Sequence, residues 1–84
     1  MSPEEVRSKI LLLLHKVAPE ANLALLDPTE NLREALDIDS FDFLKVVVAL
    51  HDTFGVTVPE SDYARITTLK GMTEYVTGTS STYR

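Results

Sequence analysis

The 84-residue sequence contains no cysteine. This absence excludes a disulfide framework, thiolate ligands to a metal ion and a cysteine nucleophile, and it fits a reducing cytoplasm. Long apolar runs are also missing, since the stretch 10–14 is far shorter than the roughly 20 residues that cross a bilayer. Two acidic residues, Glu4 and Glu5, stand where a secretory signal would have a basic start. We therefore expect a cytoplasmic protein with no membrane span.

Positive charge is scarce in the middle of the chain. The net charge is −5 overall, but residues 20–62 contain ten acidic and only two basic side chains, a local balance of −8. Such a belt would repel the phosphates of nucleic acids, so we expect no nucleic-acid partner. It favours proteins with basic docking patches, although acidic runs are also common on solvated surfaces.

The length indicates one small domain. A chain of this size buries about 60% of the surface that its unfolded form exposes, so its core is thin. Apolar residues make up 44% of the chain and charged residues 25%, which is typical of a globular domain. An enclosed active site would leave little else to fold, so the size favours a carrier or interaction module over a self-sufficient enzyme.

The first helix is predicted from its ends. Ser2 can cap it, Pro3 suits the first helical position, and Glu5 completes a capping box. Pro19 ends the helix close to Val17. An apolar stripe at helical spacing is formed by Val6, Ile10, Leu13, Leu14 and Val17.

A second helix is predicted over residues 40–54. Asp39 or Ser40 would cap it, and Gly55 would terminate it. Its apolar residues predict one face broad enough to touch two neighbours, and they are Phe41, Leu44, Val47, Val48, Leu50 and Phe54.

The remaining segments are less regular. Residues 20–39 show no strong period and are predicted to form a long ordered connection with one short turn after Asp27. An extended link over 56–58 leads to a short helical piece over 60–65, and Thr67 or Thr68 then caps a last helix. The sequence thus predicts an all-α domain over residues 1–77, followed by a flexible tail over 78–84.

Ser40 lies where the long connection becomes the second helix. A helix N-terminus presents unpaired N–H groups and the positive end of the helix dipole, so it would stabilise a phosphate esterified to Ser40. A junction of this kind is also exposed, so another enzyme could reach the hydroxyl. The simpler interpretation is that Ser40 only caps the helix, which is a common role for serine.

This junction resembles the acyl carrier protein family, whose Asp-Ser-Leu motif at the start of the second helix here reads Asp39-Ser40-Phe41. The resemblance runs over residues 3–76 without a large gap. Further matching positions are Val47, Ala49, Leu50, Phe54, Val58, Pro59, Ile66, Thr67, Thr68, Leu69, Tyr75 and Val76. It implies a freestanding carrier with a small four-helix bundle that has three main helices, one short helix and a long first loop.

The resemblance implies a covalent prosthetic group. In that family a phosphopantetheinyl transferase uses coenzyme A to attach 4′-phosphopantetheine to the serine, and cargo is carried on the terminal thiol as a thioester. Ser40 matches the attachment position, and Asp39 matches the acid before it. The chain itself would catalyse nothing. As a monomer, it would deliver acyl intermediates to acyl-transfer, chain-elongation or acyl-ligase enzymes of fatty-acid-like, polyketide-like or specialised lipid synthesis.

The resemblance also implies two surfaces. The family docks its second helix onto basic patches of partner enzymes, and the matching positions are Phe41, Asp42, Leu44, Lys45, Val48 and Asp52. The acyl chain of a loaded carrier folds back between the helices, and the candidate pocket residues are Val47, Leu50, Tyr63, Ile66 and Met72. These five residues are equally compatible with an ordinary core.

Four positions depart from the family pattern. Asp37 replaces the usual glycine before the serine, so the turn there is expected to differ. Phe41 is bulkier than the usual leucine. Lys45 and His51 stand where fatty-acid carriers have glutamates, which makes the docking helix less acidic. These differences favour a dedicated set of partners, as in a specialised secondary pathway.

Other functions match the sequence less well. Ser40 and His51 are eleven residues apart on one predicted helix, about 16 Å at 1.5 Å per residue. A serine hydrolase needs its nucleophile and base within about 3 Å. Asp37-x-Asp39 begins like a calcium loop, but the later positions lack the required ligands and glycine, so no metal site is expected.

Two alternatives stay open. One is a peptidyl carrier with an aminoacyl cargo, which Asp39 and the lack of a Gly-Gly before the serine disfavour. The other is a helical interaction or adaptor module without a prosthetic group, in which Ser40 serves only as a cap.

Overall fold

The computed structural model describes residues 2–82, with side chains described through residue 78. This range is all-helical and contains no strand. Its elements are α1 (Pro3–Val17), a 3₁₀ turn (Leu23–Leu25), α2 (Leu32–Ala35), α3 (Ser40–Phe54), a 3₁₀ segment (Glu60–Ile66) and α4 (Leu69–Thr82). The predicted all-α bundle is confirmed. Within the described range, no helix has the length and apolar character needed to cross a membrane.

Helix α1 begins and ends where its flanking residues predict. The backbone N–H of Glu5 donates to Ser2 Oγ at 3.2 Å, and the Ser2 hydroxyl donates to Glu5 Oε1, also at 3.2 Å. Pro3 occupies the first helical position, where its missing N–H costs nothing. The helix packs against both α3 and α4, and its buried residues are Val6, Ile10, Leu13 and Leu14.

Helix α3 also spans the predicted residues. Asp39 is its N-cap, because the backbone N–H of Asp42 donates to Asp39 Oδ1 at 2.9 Å. Gly55 ends the helix with a φ of 71°, a left-handed conformation that glycine adopts without a steric penalty.

The apolar residues of α3 do not form the single face that the sequence suggested. The buried set is Phe43, Val46 and Leu50. The exposed set is Phe41, Leu44 and Val48, whose exposed fractions are 77%, 44% and 59%. The two sets are offset by two residues, which is about 200° around a helix of 3.6 residues per turn. They therefore lie on roughly opposite sides, and the bundle covers one of them.

The connection over 20–39 contains more helix than expected. A single turn of α-helix, α2, is capped by Asn31, whose Oδ1 accepts from the backbone N–H groups of Arg33 and Glu34 at 2.9 and 3.3 Å. The buried Leu32 ties α2 to the end of the 3₁₀ segment Glu60–Ile66, because its N–H donates to the carbonyl of Thr67 at 2.7 Å.

The short turn predicted after Asp27 is present. The backbone N–H and the hydroxyl of Thr29 donate to Asp27 Oδ1 at 2.8 and 2.7 Å. These two bonds favour the charged carboxylate and hold the pKa of Asp27 below its usual value. The N–H of Lys70 donates to the carbonyl of Pro28 at 2.9 Å, which ties the turn to the start of α4.

The chain after α3 follows the predicted order. The link over 56–58 is neither helix nor strand, and Val56 and Val58 are buried. The short helical piece is the 3₁₀ segment Glu60–Ile66, which packs against α4. Helix α4 continues to Thr82, beyond the predicted domain end at residue 77. The tail predicted over 78–84 lies largely outside the residues whose side chains the structure describes. Its flexibility and the domain boundary at residue 77 therefore stay predictions.

Candidate functional site

Ser40 is the first residue of α3, and its side chain is exposed. The capping hydrogen bond of this helix is made by Asp39 and not by Ser40. The Ser40 hydroxyl instead accepts a hydrogen bond from Arg33 Nη2 at 3.1 Å. The simple interpretation of Ser40 as an N-cap is therefore wrong for this structure. The Ser40 side chain is exposed at the N-terminus of α3.

A tight turn between α2 and α3 places Ser40. The N–H of Ile38 donates to the carbonyl of Arg33 at 3.0 Å, and the N–H of Asp37 donates to that of Glu34 at 3.4 Å. This pair of bonds is the Schellman motif, which ends many helices. In this motif the first residue after the C-cap has a left-handed backbone conformation. Asp37 takes that conformation, with a φ of 53°. Glycine adopts this left-handed conformation without a steric penalty, and the expected difference from the turn of the family stays a prediction.

Arg33 is the residue in contact with Ser40 that the sequence did not predict. It was counted among the two bases of the acidic region, but nothing in its local pattern linked it to the serine seven positions later. The link depends on α2, which is one turn long, and on the Schellman turn that reverses the chain direction after it. Its position before a Leu-Asp-Ile-Asp-Ser stretch is the one sequence signal that was present.

A cleft of about 270 Å³ opens beside Ser40. Its wall is largely apolar, and its lining residues are Arg33, Ser40, Phe43, Leu44, Tyr63, Ala64 and Thr67. The rings of Phe43 and Tyr63 meet edge to face, with centroids 5.7 Å apart and planes at 70°, an arrangement that aromatic pairs favour. The polar ends of Arg33 and Ser40 therefore stand at one side of an apolar cleft between α3 and the 3₁₀ segment.

The predicted pocket residues are distributed differently. Of the five candidates, Tyr63 belongs to the lining of this cleft. Leu50, Ile66 and Met72 are completely buried in the core, and Val47 is half-buried against it. A role for these four residues in holding an acyl chain stays a prediction. The sequence did not place Phe43 at the cleft, and it suggested Thr67 only as a candidate cap of the last helix.

The 3₁₀ wall of the cleft is fastened to α4. The hydroxyl of Tyr75 donates to Asp62 Oδ2 at 2.8 Å, and the Arg65 guanidinium lies 4.8 Å from the centre of the Tyr75 ring. Burial raises the pKa of Tyr75, and the hydrogen bond that its hydroxyl donates to the Asp62 carboxylate raises it further. These contacts hold residues on both sides of Tyr63 and Ala64 in place.

The exposed set of α3 forms a surface next to the site, and we call Phe41, Leu44 and Val48 the exposed stripe. Charged residues border it. Lys45 Nζ lies 3.5 Å from Asp42 Oδ1, and His51 Nδ1 lies 3.8 Å from Asp52 Oδ1. The structure thus brings the six predicted docking residues onto the solvent side of one helix.

The residues at Ser40 fit a phosphodiester. The oxygen to be esterified is exposed at the N-terminus of a 15-residue helix, whose dipole and free N–H groups favour an anion. Arg33 adds a guanidinium within hydrogen-bonding distance of that oxygen. The Asp39 carboxylate, which would oppose an anion, is engaged with the backbone N–H of Asp42.

Comparison with known proteins agrees with this arrangement. The family model described as "Phosphopantetheine attachment site" matches residues 7–76, which is most of the chain. The chain belongs to the acyl carrier protein family. The prosthetic group of a carrier protein of this family is covalently attached 4′-phosphopantetheine.

Individual acyl carrier proteins show the same similarity. The chain is 39% identical over 46 residues to the acyl carrier protein of Lactobacillus johnsonii, covering 55% of this chain and 58% of that protein. It is 32% identical over 73 residues to the acyl carrier protein of Campylobacter hominis, covering 87% and 86%. The acyl carrier protein of Acidothermus cellulolyticus is 27% identical over 78 residues, covering 90% and 89%. The Lactobacillus match thus spans less than two thirds of that relative, whereas the other two span nearly whole proteins.

The alternative catalytic and metal sites gain no support from the geometry. His51 lies near the far end of α3 from Ser40, where it faces Asp52 and solvent. Within residues 2–78, no group of three or more acidic or histidine side chains is placed to hold a metal ion.

Proposed function

We propose that Ser40 carries the 4′-phosphopantetheine arm and that the chain tethers acyl groups on it as thioesters. The observation that supports this most directly is that Asp39 and Ser40, at the start of α3, make different contacts. Asp39 caps the helix, so modification of the exposed Ser40 hydroxyl would not remove the helix cap. The arm's terminal thiol supplies the thioester chemistry when the group is attached.

The contacts of Ser40 suit it as the acceptor in this modification. A guanidinium is a donor only, so Arg33 occupies a lone pair of Ser40 Oγ and leaves the hydroxyl proton free for a base on the transferase. Oγ then bonds to the phosphorus of the pantetheine phosphate as the bond from that phosphorus to the rest of coenzyme A breaks. The positive end of the α3 dipole stabilises the resulting anion.

The exposed stripe and its charged border are the proposed docking surface. Asp39, Asp42 and Asp52 would face basic patches on the phosphopantetheinyl transferase and on acyl-transfer, elongation or ligase enzymes. Lys45 partly neutralises Asp42, so the surface is less acidic than one carrying glutamate at that position. This supports a dedicated partner set in fatty-acid-like, polyketide-like or specialised lipid synthesis, with the chain acting as a substrate and not as a catalyst.

The proposal is tested by weighing the protein. Apo protein incubated with coenzyme A and a broad-specificity phosphopantetheinyl transferase should gain the mass of one phosphopantetheinyl group. Ser40→Ala should gain nothing while keeping its helical circular dichroism. Ser61→Ala is the matched control, because Ser61 is also an exposed serine in the first turn of a helical segment, and it should load like wild type. An unmodified wild type, or a modified Ser40→Ala, would overturn the assignment.

A further inference from the structure

Arg33 and Lys45 are the two bases of the acidic region, and their contacts differ. Residues 20–62 carry ten acidic side chains, yet Arg33 is not within ion-pair distance of a carboxylate anywhere in the described part of the chain. Its guanidinium instead donates to a neutral acceptor, Ser40 Oγ. The other base of this region, Lys45, does pair with an acid. Arg33 therefore holds an unneutralised positive charge against the one oxygen proposed for modification.

We propose that Arg33 is a positioning residue that binds the phosphodiester of the modified Ser40 and fixes the base of the arm at the cleft. This inference rests on Ser40 being the attachment site. Phosphorus bonds directly to Ser40 Oγ, so its non-bridging oxygens become the nearest neighbours of the atom that Arg33 already contacts. A guanidinium is permanently charged and presents a planar fork of donors that matches phosphate oxygens.

The backbone of Arg33 is held before any modification takes place. Its N–H donates to the Asn31 cap at 2.9 Å, and its carbonyl accepts from Ile38 at 3.0 Å. The neighbouring Leu32 is buried and bonded to Thr67. A residue with a fixed backbone loses less conformational freedom when its side chain binds an anion, so Arg33 is prepared for this contact.

The position of Arg33 also gives the arm a direction. Arg33 and Ser40 both line the cleft whose walls include Phe43 and Tyr63. A phosphate held between α2 and the start of α3 places the first atoms of the arm at the polar side of this cleft. Arg33 thus favours the state in which the arm lies along the protein over the state in which it extends into solvent.

The test compares apo and fully loaded protein in wild type, Arg33→Gln, Arg33→Lys and the control Arg7→Gln. Arg7 is an exposed arginine on α1 outside the Ser40 cleft. Each loading reaction is run until mass spectrometry shows that it is complete, so a slow rate of transfer does not affect the comparison. The readouts are the melting temperature of each form and the ³¹P resonance of the phosphodiester.

Loading should raise the melting temperature of wild type and of Arg7→Gln by about 2–6 °C, as expected for one exposed charge-assisted contact in a domain of this size. In Arg33→Gln the increase in melting temperature on loading should be at most half as large, and the ³¹P line should shift and sharpen. Arg33→Lys should show values between those of wild type and Arg33→Gln in both measurements. The wild-type increment should shrink as salt is raised.

Two negative results are distinguishable. If wild type gains no phosphopantetheinyl mass, the assignment of Ser40 fails. If wild type and Arg33→Gln both load fully but show the same increment and the same ³¹P spectrum, Ser40 remains the attachment site and the role of Arg33 is overturned.

Discussion

Helix α3 has two apolar sides that differ in what covers them. One side, with Phe43, Val46 and Leu50, is buried in the bundle, while the exposed stripe faces solvent along nearly the same length of helix. Both sides consist of large apolar residues, so hydrophobicity alone does not tell them apart. What differs is their angular position relative to the helices that pack on α3.

This difference in burial separates the apolar residues of α3 that stabilise the fold from those that do not. A core residue contributes to stability through burial, but an exposed large side chain leaves much of its apolar area in water and gains less from folding. A contiguous exposed apolar set bordered by charges is characteristic of an interaction surface. The comparison therefore favours a stability role for one side of α3 and supports the docking role that we propose for the other. Each of the following changes tests that division.

The largest effect should come from truncating the buried side. Leu50 is completely buried, so Leu50→Ala should lower the free energy of unfolding by about 2–5 kcal/mol. Val48→Ala, two positions earlier on the exposed stripe, should change it by less than about 0.5 kcal/mol. Urea unfolding of the two variants measures both. Equal losses would mean that the exposed stripe is part of the folding core.

The next effect concerns binding and not stability. Phe41 is 77% exposed, so Phe41→Ala should leave urea unfolding unchanged but remove an aromatic anchor from the docking surface. We expect kcat/KM of the phosphopantetheinyl transferase for the carrier to fall about tenfold. Thr53→Ala, an exposed change near the other end of α3, is the control and should load normally. A normal rate for Phe41→Ala would remove the stripe from the transferase interface.

The smallest effect should come from charge on the exposed side. Lys45→Glu removes the pairing with Asp42 and makes the surface more acidic, so kcat/KM with a fatty-acid synthase partner should rise about two- to threefold, less at high salt. Lys70→Glu makes the same change in net charge on α4. If both variants gain equally, the effect is a general one of net charge and the local charge of Lys45 does not set partner choice.

Local signals predicted the parts of the fold that local chemistry determines. The bounds of α1 and α3 follow from Ser2, Pro3, Asp39 and Gly55, whose caps act within a few residues. Helix α2 was not predictable in this way. It is one turn long, so it has no period, and it depends on the bond from Leu32 to Thr67 on another element.

The assignment of the site to Ser40 stays a proposal, and the surroundings of Ser40 were not predicted. The motif identified Ser40 and Asp39, and the structure shows which of the two caps the helix. The contact from Arg33 arises because Asp37 accepts a left-handed conformation that the sequence favours only weakly. Similarly, helical spacing grouped the apolar residues of α3, but the phase of that helix against its neighbours decided which of them were buried and which lined the cleft.

The central claim is that Ser40 receives the arm, and peptide mapping tests it most directly. Trypsin cuts after Arg33 and Lys45, and the peptide over 34–45 contains a single hydroxyl-bearing residue, Ser40. After treatment with coenzyme A and transferase, this peptide should carry the whole mass gain of the protein. A gain found on any other peptide, or an unchanged 34–45 peptide from fully treated protein, would contradict the account.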